Sequence, residues 1–409
     1  MSGPAAPQYL IRCRSGRHQV SIDPARFWRP ARCPVCRTTV DQLGLRRFWR
    51  WSTGRAPWSR VRVGVLGELT PLDGAAVLSG LGLGAVAVGL RVLGDRWWIG
   101  TVVLFLGRWP WLLPVGPLGL MALASRRLRT IGLTAVALVI GLFGIMGLSL
   151  GLGRWMPIAA ELTRIRVVTF NMAGRADVAA RLPSLIAASA ADVLAIQECA
   201  PEVGPGLFAA IGYRVERGPS TCLVSRWPIV SVAEQPAETV RDAGGSGWVT
   251  RYRIEGPAGG FDLTNVHLDT PRDGFEAMLQ GRSNGPALVR RGIVLRDIES
   301  RRARRWVDQG HAPRLVVGDF NTPEESVIFR TYWGDLVEAF DRAGVGFGFT
   351  RYNGWIRLRI DHILAGPGLR PVRAEVLPDY GSDHRPLMAD VVVEEPSADR
   401  SRWVWLRPR

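Results

Sequence analysis

The sequence predicts an α/β domain in the C-terminal half of the chain, tethered to a membrane by the region before it. Three observations carry this. Short β-branched runs alternate with polar and helical stretches from Arg164 to about Glu395, three long apolar runs precede them, and a small group of Cys and His residues stands near the N-terminus. Composition divides the 409 residues into 1–66, 67–155, 156–397 and a tail at 398–409.

The first region is polar and rich in Arg and Trp. The net charge is +16 and every basic residue is Arg, since the chain has no Lys. Codon composition explains that choice as readily as a need for guanidinium groups. Such a charge suits a phosphate-bearing partner or an anionic membrane, but many of the Arg residues flank apolar segments, so charge alone does not argue for nucleic acid. Five Cys are too few for a disulfide framework, and no cleavable leader is expected at the N-terminus. Cys13, His18, Cys33 and Cys36 offer four ligands, the number a tetrahedral structural Zn²⁺ takes. A module this small has little apolar content, and a metal would stabilise it where burial cannot. Cys33 and Cys36 form a good knuckle; the wider spacing of Cys13 and His18 departs from the usual pair. A redox CxxC and unliganded thiols remain alternatives.

Membrane segments come next. Residues 75–93 are almost wholly apolar or Gly, long enough at about 1.5 Å per residue to cross a ~30 Å hydrocarbon layer. The stretch 97–124 is interrupted by Arg108, Pro110 and Pro114, which places "RWPW" near an interface and leaves one crossing. A third candidate runs over 131–152. Arg46, Arg47, Arg50, Arg55, Arg60 and Arg62 precede the first crossing, and Arg126, Arg127 and Arg129 separate the second from the third. Basic loops stay in the cytoplasm. Three crossings of a cytoplasmic membrane therefore put the N-terminus inside and everything after about residue 155 outside.

In the α/β region the strands "IRVVTF", "DVLAIQ", "FDLTNV", "RLVVGD" and "MADVVV" are joined by helical stretches such as 287–306. Leu315 to Val317 reads as a buried strand, Gly318 permits an unusual backbone turn, and Asp319 and Asn321 emerge at the strand end. Asn171, Glu198 and His267 likewise follow strands, while Asp361 and His362 lie in "RIDHIL" and Asp383 and His384 in "GSDHRP". Turn chemistry alone does not explain five polar clusters at strand ends besides that of Asp319. Asn171, Glu198 and Asp383 are hard oxygen donors of the kind Mg²⁺ or Mn²⁺ accepts; His267, His384 and Asp361 supply acid–base groups and a carboxylate to orient an imidazole.

In their order and spacing "FNMAG", "IQE", "NVHL", "GDFN", "RIDHIL" and "GSDHRP" resemble the endonuclease/exonuclease/phosphatase superfamily, the DNase I-like proteins, over about residues 164–395. The resemblance implies a four-layer αββα sandwich of two mixed sheets with the site at one rim. It implies that Asn171 and Glu198 hold a metal with Asp383 nearby, and that Asp319 orients or deprotonates a water. Asn321 would hold the phosphate or Asp319. His384, held by Asp361, would contact the phosphate, and His267 would be a phosphate contact or leaving-group acid.

His362 is expected to pack behind the sheet and His311 to be solvated. Cys199 and Cys222 are either paired or two buried thiols. Arg272, Trp355, Arg357 and Arg359 are candidates to grip a phosphate or headgroup. Together these readings describe a membrane-embedded, Mg²⁺- or Mn²⁺-dependent phosphoesterase acting on a lipid-headgroup or DNA phosphodiester, with Zn²⁺ at the N-terminal module. They point to no protein partner. A catalytically silent membrane scaffold on the same fold is the rival reading, opposed by the completeness of the acidic and His set.

Overall fold

The computed structural model describes residues 9–12, 19–22, 31–32, 39–40, 61–63, 67–236 and 238–394. At the N-terminus, Tyr9–Arg12 pairs antiparallel with Gln19–Ile22, and Ala31–Arg32 with Thr39–Val40. Cys13, His18, Cys33 and Cys36 lie outside the described residues, as does the tail at 398–409.

Among the described residues two helices are long and apolar enough to cross a membrane: α1 (Pro71–Val92), and Leu128–Ile145, whose first part is α4 (Leu128–Val139). Between them α2 (Trp98–Phe105) is followed by a short turn at Trp109–Leu112 and by α3 (Val115–Ser125). Here the structure departs from the single crossing expected over 97–124. The two halves bend by 81°, so a third crossing exists only if this broken pair is counted as one. Pro110, just past the break, cannot donate to a continuing helix. Arg108 is buried and paired with Glu325.

Compact packing falls into two units, residues 1–82 with 113–138 and residues 83–112 with 139–409. In the first, Asp73 caps the start of α1 by accepting from Thr70 N–H, and it also accepts from Thr130.

The second unit is built on twelve strands: β1 (Arg164–Asn171), β2 (Val193–Gln197), β3 (Arg214–Arg217), β4 (Thr221–Ser225), β5 (Ile229–Glu234), β6 (Trp248–Gly256), β7 (Gly259–His267), β8 (Arg314–Asp319), β9 (Val337–Glu338), β10 (Asp361–Ala365), β11 (Leu369–Val376) and β12 (Leu387–Val393). They form two mixed six-stranded sheets, ordered β11-β12-β1-β2-β4-β3 and β5-β6-β7-β8-β10-β9. Only β1–β2 and β7–β8 are parallel pairs.

Alternation along the strands explains the layers. Ile165, Val167, Val193, Ala195, Leu263, Leu315, Val317, Ile363 and Leu387 fill the space between the sheets. Their neighbours Val168, Phe170, Leu194 and Ile196 face the opposite way, onto Leu182, Leu185 and Ile186 of the helix Leu182–Ser189. On the far side, Val266, Val316 and Leu364 pack on Ala303 and Val307 of α6 (Gly285–Asp308) and Phe329 and Trp333 of α7 (Val327–Trp333). α5 (Arg272–Leu279) packs against α6.

Register then places the site. The parallel strands β1, β2, β7 and β8 end on one rim, with His267 opposite Asp319 and Asn171 opposite Gln197. β10 and β12 run the other way, so their first residues reach the same rim: Asp361 is opposite Asp319, and Leu387 is opposite Thr169.

Candidate active site

Gly318 sets up the rim. Its φ is +138°, and a Cβ there would overlap the carbonyl oxygen of Val266 on the neighbouring strand. The sharp turn turns Asp319 inward, where it is 1% exposed. Asp319 Oδ1 accepts from the backbone N–H of Asn321 at 2.8 Å, and Oδ2 accepts from Asn171 Nδ2 at 3.0 Å. Asn321 adopts a left-handed φ of +47° to present that N–H, and its side-chain amide donates to Leu268 O at 2.8 Å. The role expected of its side chain toward Asp319 therefore falls to its backbone.

Asn171 links the two sheets, donating also to Glu198 Oε1 at 3.0 Å while its own Oδ1 accepts from Ala173 N–H at 2.9 Å. Ala173 and Glu198 also have positive φ, so three non-Gly residues with disfavoured backbones surround Asp319. His267 Nε2 lies 3.6 Å from Glu198 Oε1, and its buried Nδ1 has no hydrogen-bond partner.

His384 is 4% exposed. Its Nδ1 is 2.8 Å from Asp361 Oδ2 and its Nε2 is 3.6 Å from Asp319 Oδ2. Burial works against a charged ring, yet Asp361 and then Asp319 overcome it and push the His384 imidazole up to about 9. Asp319 is raised in turn, first by burial and then by the neighbouring Asp361 carboxylate, against the pull of His384.

Asp319, Asp361 and His384 bring ligand atoms within 4.8 Å of one another. Asp361 Oδ1 is buried without a hydrogen-bond partner. The hydrogen bond to Asp361 commits His384 to its proton, so the hard oxygens beside it, Glu198 and Asn171, are the donors that fit a divalent cation of the Mg²⁺ or Mn²⁺ type. Of the three ligands expected from sequence, Asn171 and Glu198 touch each other. Asp383 instead pairs with Arg351, and its Oδ2 is 3.6 Å from Arg272 Nη2.

Arg272 opens α5 and is half exposed. Trp355 stands at the tip of the hairpin Arg351–Asn353/Ile356–Leu358, and Arg357 stacks on Tyr352 at 5.4 Å. Arg359 is not available to substrate: it is 5% exposed and paired with Glu324 and Asp341, which occupies the second acidic group of the domain, Glu324, Glu338 and Asp341. His362 packs on Phe329 with ring centroids 4.4 Å apart and sits 3.0 Å from Thr322 O, while His311 is 81% exposed; both match expectation. Cys199 and Cys222 are disulfide-bonded.

Sequence reasoning missed Arg351 and Ser382. Ser382 Oγ donates to Asn171 O at 2.8 Å and accepts from His384 N–H at 3.2 Å, stitching the two ends of the site together. The "GSDHRP" run held that signal, a Ser two residues before the His. Nothing in the chain order pointed to Arg351.

The model of the Endonuclease/Exonuclease/phosphatase family matches residues 168–384, more than half of the chain. The chain belongs to this family. Solved structures with a similar fold include an endonuclease/exonuclease/phosphatase from Beutenbergia cavernae, at 20% identity and a TM-score of 0.43, covering 57% of this chain and 72% of that one. A family protein from Bacteroides thetaiotaomicron is 16% identical with a TM-score of 0.43, covering 57% and 100% of the two chains. An AP endonuclease from Archaeoglobus fulgidus is 16% identical with a TM-score of 0.40, covering 55% and 98%. No curated protein matches the chain. Members of the family are typically phosphoesterases that use divalent metals, and all the residues singled out above as catalytic lie within the matched span.

Proposed function

We propose that this protein is a membrane-anchored, divalent-metal-dependent hydrolase of phosphodiesters. The observation that carries the reading is the pairing of a buried, doubly held Asp319 with a His384 braced by Asp361, at a rim where Asn171 and Glu198 meet.

Each residue has a task that follows from its surroundings. Asp319, raised by burial and by Asp361, is a better proton acceptor than a free carboxylate and receives a proton from the attacking water. His384 keeps its proton at neutral pH and directs Nε2 at the charge developing on phosphate oxygen. His267, with Nδ1 unpartnered, donates to the phosphate or to the leaving oxygen. Water adds to phosphorus, the ester P–O bond breaks, and the leaving oxygen is protonated, giving an alcohol and a phosphomonoester. A Mg²⁺ or Mn²⁺ ion held by Asn171 and Glu198, with Asp383 at the edge, would supply charge neutralisation for the phosphate. Arg272, Trp355 and Arg357 line the approach for substrate.

The proposed arrangement keeps residues 1–66 in the cytoplasm as a Zn²⁺-binding module, spans the cytoplasmic membrane within 67–155, and places the catalytic domain of 156–397 outside. The Cys199–Cys222 disulfide supports the outer location, because such bonds persist in oxidising compartments. The test is hydrolysis of bis(p-nitrophenyl) phosphate by the purified full chain in detergent, with Mg²⁺, Mn²⁺ or EDTA, beside Asp319→Asn and His384→Ala. Metal-dependent turnover absent from both variants is expected; turnover that persists in them would refute the assignment, and none from the folded wild type under any metal would favour a silent scaffold.

A further inference from the structure

The segment between α1 and α3 reads as membrane by composition, yet residues 83–112 pack as part of the same unit as the sheets. Its inner side grips the loop that follows the catalytic strand. Asp95 caps α7: it accepts from Val327 N–H at 2.9 Å, from Ile328 N–H at 3.3 Å and from Ser326 Oγ–H. Arg108 pairs with buried Glu325, only four residues beyond Asn321, and donates to Ile145 O at 3.1 Å.

The same segment supports both elements at the mouth of the site. Phe105 lies 5.5 Å, centroid to centroid, from Phe275 in α5, the helix whose first residue, Arg272, faces Asp383. Trp109 meets Trp355 edge to face at 6.3 Å, at the tip of the hairpin whose Arg351 pairs with the same Asp383.

Its outer side is largely apolar, with the exposed Arg96 between Leu93 and Trp97, a cation that suits anionic headgroups. From Trp97 to Leu113 the sole ionisable residue is Arg108, and it is turned inward. Leu93, Trp97, Leu106, Trp109 and Trp111 are 38–52% exposed, and Trp355 continues the patch at 53%. Contiguous apolar surface of this kind is disfavoured in water, and Trp concentrates where hydrocarbon meets headgroups. The occupant follows from the covalent chain. The patch begins one residue after α1, a helix long and apolar enough to cross a bilayer, and ends four residues before α3, the second half of the broken span.

We propose that this face lies on the lipid surface, so that the mouth of the active site opens at headgroup level and its substrate is a phosphodiester presented by the membrane. The substrate assignment rests on the hydrolase reading above. An anionic headgroup entering there meets Arg272 first.

The test uses the full chain in two forms, wild type and the triple substitution Trp97→Ser, Leu106→Ser, Trp111→Ser. None of these residues contacts the catalytic groups. Each form is assayed on soluble bis(p-nitrophenyl) phosphate, on a single-stranded DNA oligonucleotide, and on vesicles of phosphatidylcholine, phosphatidylglycerol and cardiolipin. The wild type should hydrolyse a vesicle lipid, and the triple variant should lose about tenfold of that rate, ~1.4 kcal/mol, while its soluble-diester rate stays within about twofold. An equal loss on both substrates would mean that the segment only supports the fold. A wild type that cleaves the soluble diester and the DNA but no vesicle lipid overturns the substrate claim. A change of oligomeric state in detergent, with lipid hydrolysis intact, would assign the face to a second copy or another protein. If the wild type hydrolyses nothing, the hydrolase reading fails, and quenching of tryptophan fluorescence by brominated lipid, weaker in the triple variant, still decides whether the face meets the bilayer.

Discussion

Replacing Arg108 with Met should destabilise the protein far more than an ordinary change in an apolar segment. Arg108 and Glu325 are 6% and 1% exposed, and burial alone would raise the Glu325 carboxyl; Arg108 overrides it and holds that carboxyl below its ordinary range. Met fills a similar volume but leaves Glu325 charged and buried, with Oε2 already lacking a partner. Removing one member of a buried pair costs about 3–5 kcal/mol, whereas replacing both members with apolar residues is often close to neutral. At roughly 2–4 °C per kcal/mol for a domain of this size, the single variant should lose ~6–20 °C in Tm. The double variant Arg108→Met/Glu325→Leu should regain most of it. Intrinsic fluorescence during heating, in detergent and in nanodiscs, measures both. A single variant within about 2 °C of wild type, or a double variant no better than the single, would refute the argument that an orphaned charge is the cost.

Other outcomes follow from the same physics. Burial raises Glu299 from its ordinary 4.5 to about 7, so the folded form binds a proton that the unfolded form releases; its contribution is complete below pH 4.5 and fades as pH rises to about 7. That is worth roughly 3 kcal/mol, and Tm measured against pH should fall less steeply in Glu299→Gln. Asp361→Asn removes the carboxylate that contributes most to holding the His384 proton, so the alkaline limb of the pH–rate profile should move down from about 9 toward the ordinary 6.5 of histidine. Reducing the Cys199–Cys222 bond, which spans a sequence separation of 23, should cost about 3 kcal/mol, read as a lower Tm in dithiothreitol that Cys222→Ser reproduces without reductant. Gly318→Ala should abolish turnover and lower Tm, because its Cβ has nowhere to go beside Val266 O; an active, stable variant would mean that the rim tolerates a different turn.

The strands and the rim were legible because each strand end carries its own local signature. "VVGDFN" announces a buried strand, a Gly turn and a carboxylate within six residues, and the helix expected over 287–306 appears as Gly285–Asp308. What stayed hidden depends on distant partners. Hydropathy shows Arg108 only as a break in an apolar run, because its partner, Glu325, lies 217 residues further on. Arg351 is an unremarkable Arg until the hairpin folds onto Asp383. Composition likewise drew a boundary near residue 155, whereas packing groups 83–112 with the sheets, because burial against another element and burial in lipid both select apolar residues.

The way the catalytic loop is fastened also closes one mode of regulation. Under the proposed topology, proteolysis of a stalk would be one way to release the domain. Here a cut just before β1 would leave behind Asp95, which caps α7, Arg108, which neutralises Glu325, and Ser149, whose backbone pairs with Gly346. The freed fragment would retain its twelve strands but lose the groups that hold the loop after Asp319. Shedding would therefore act as an off switch rather than yield a diffusible enzyme.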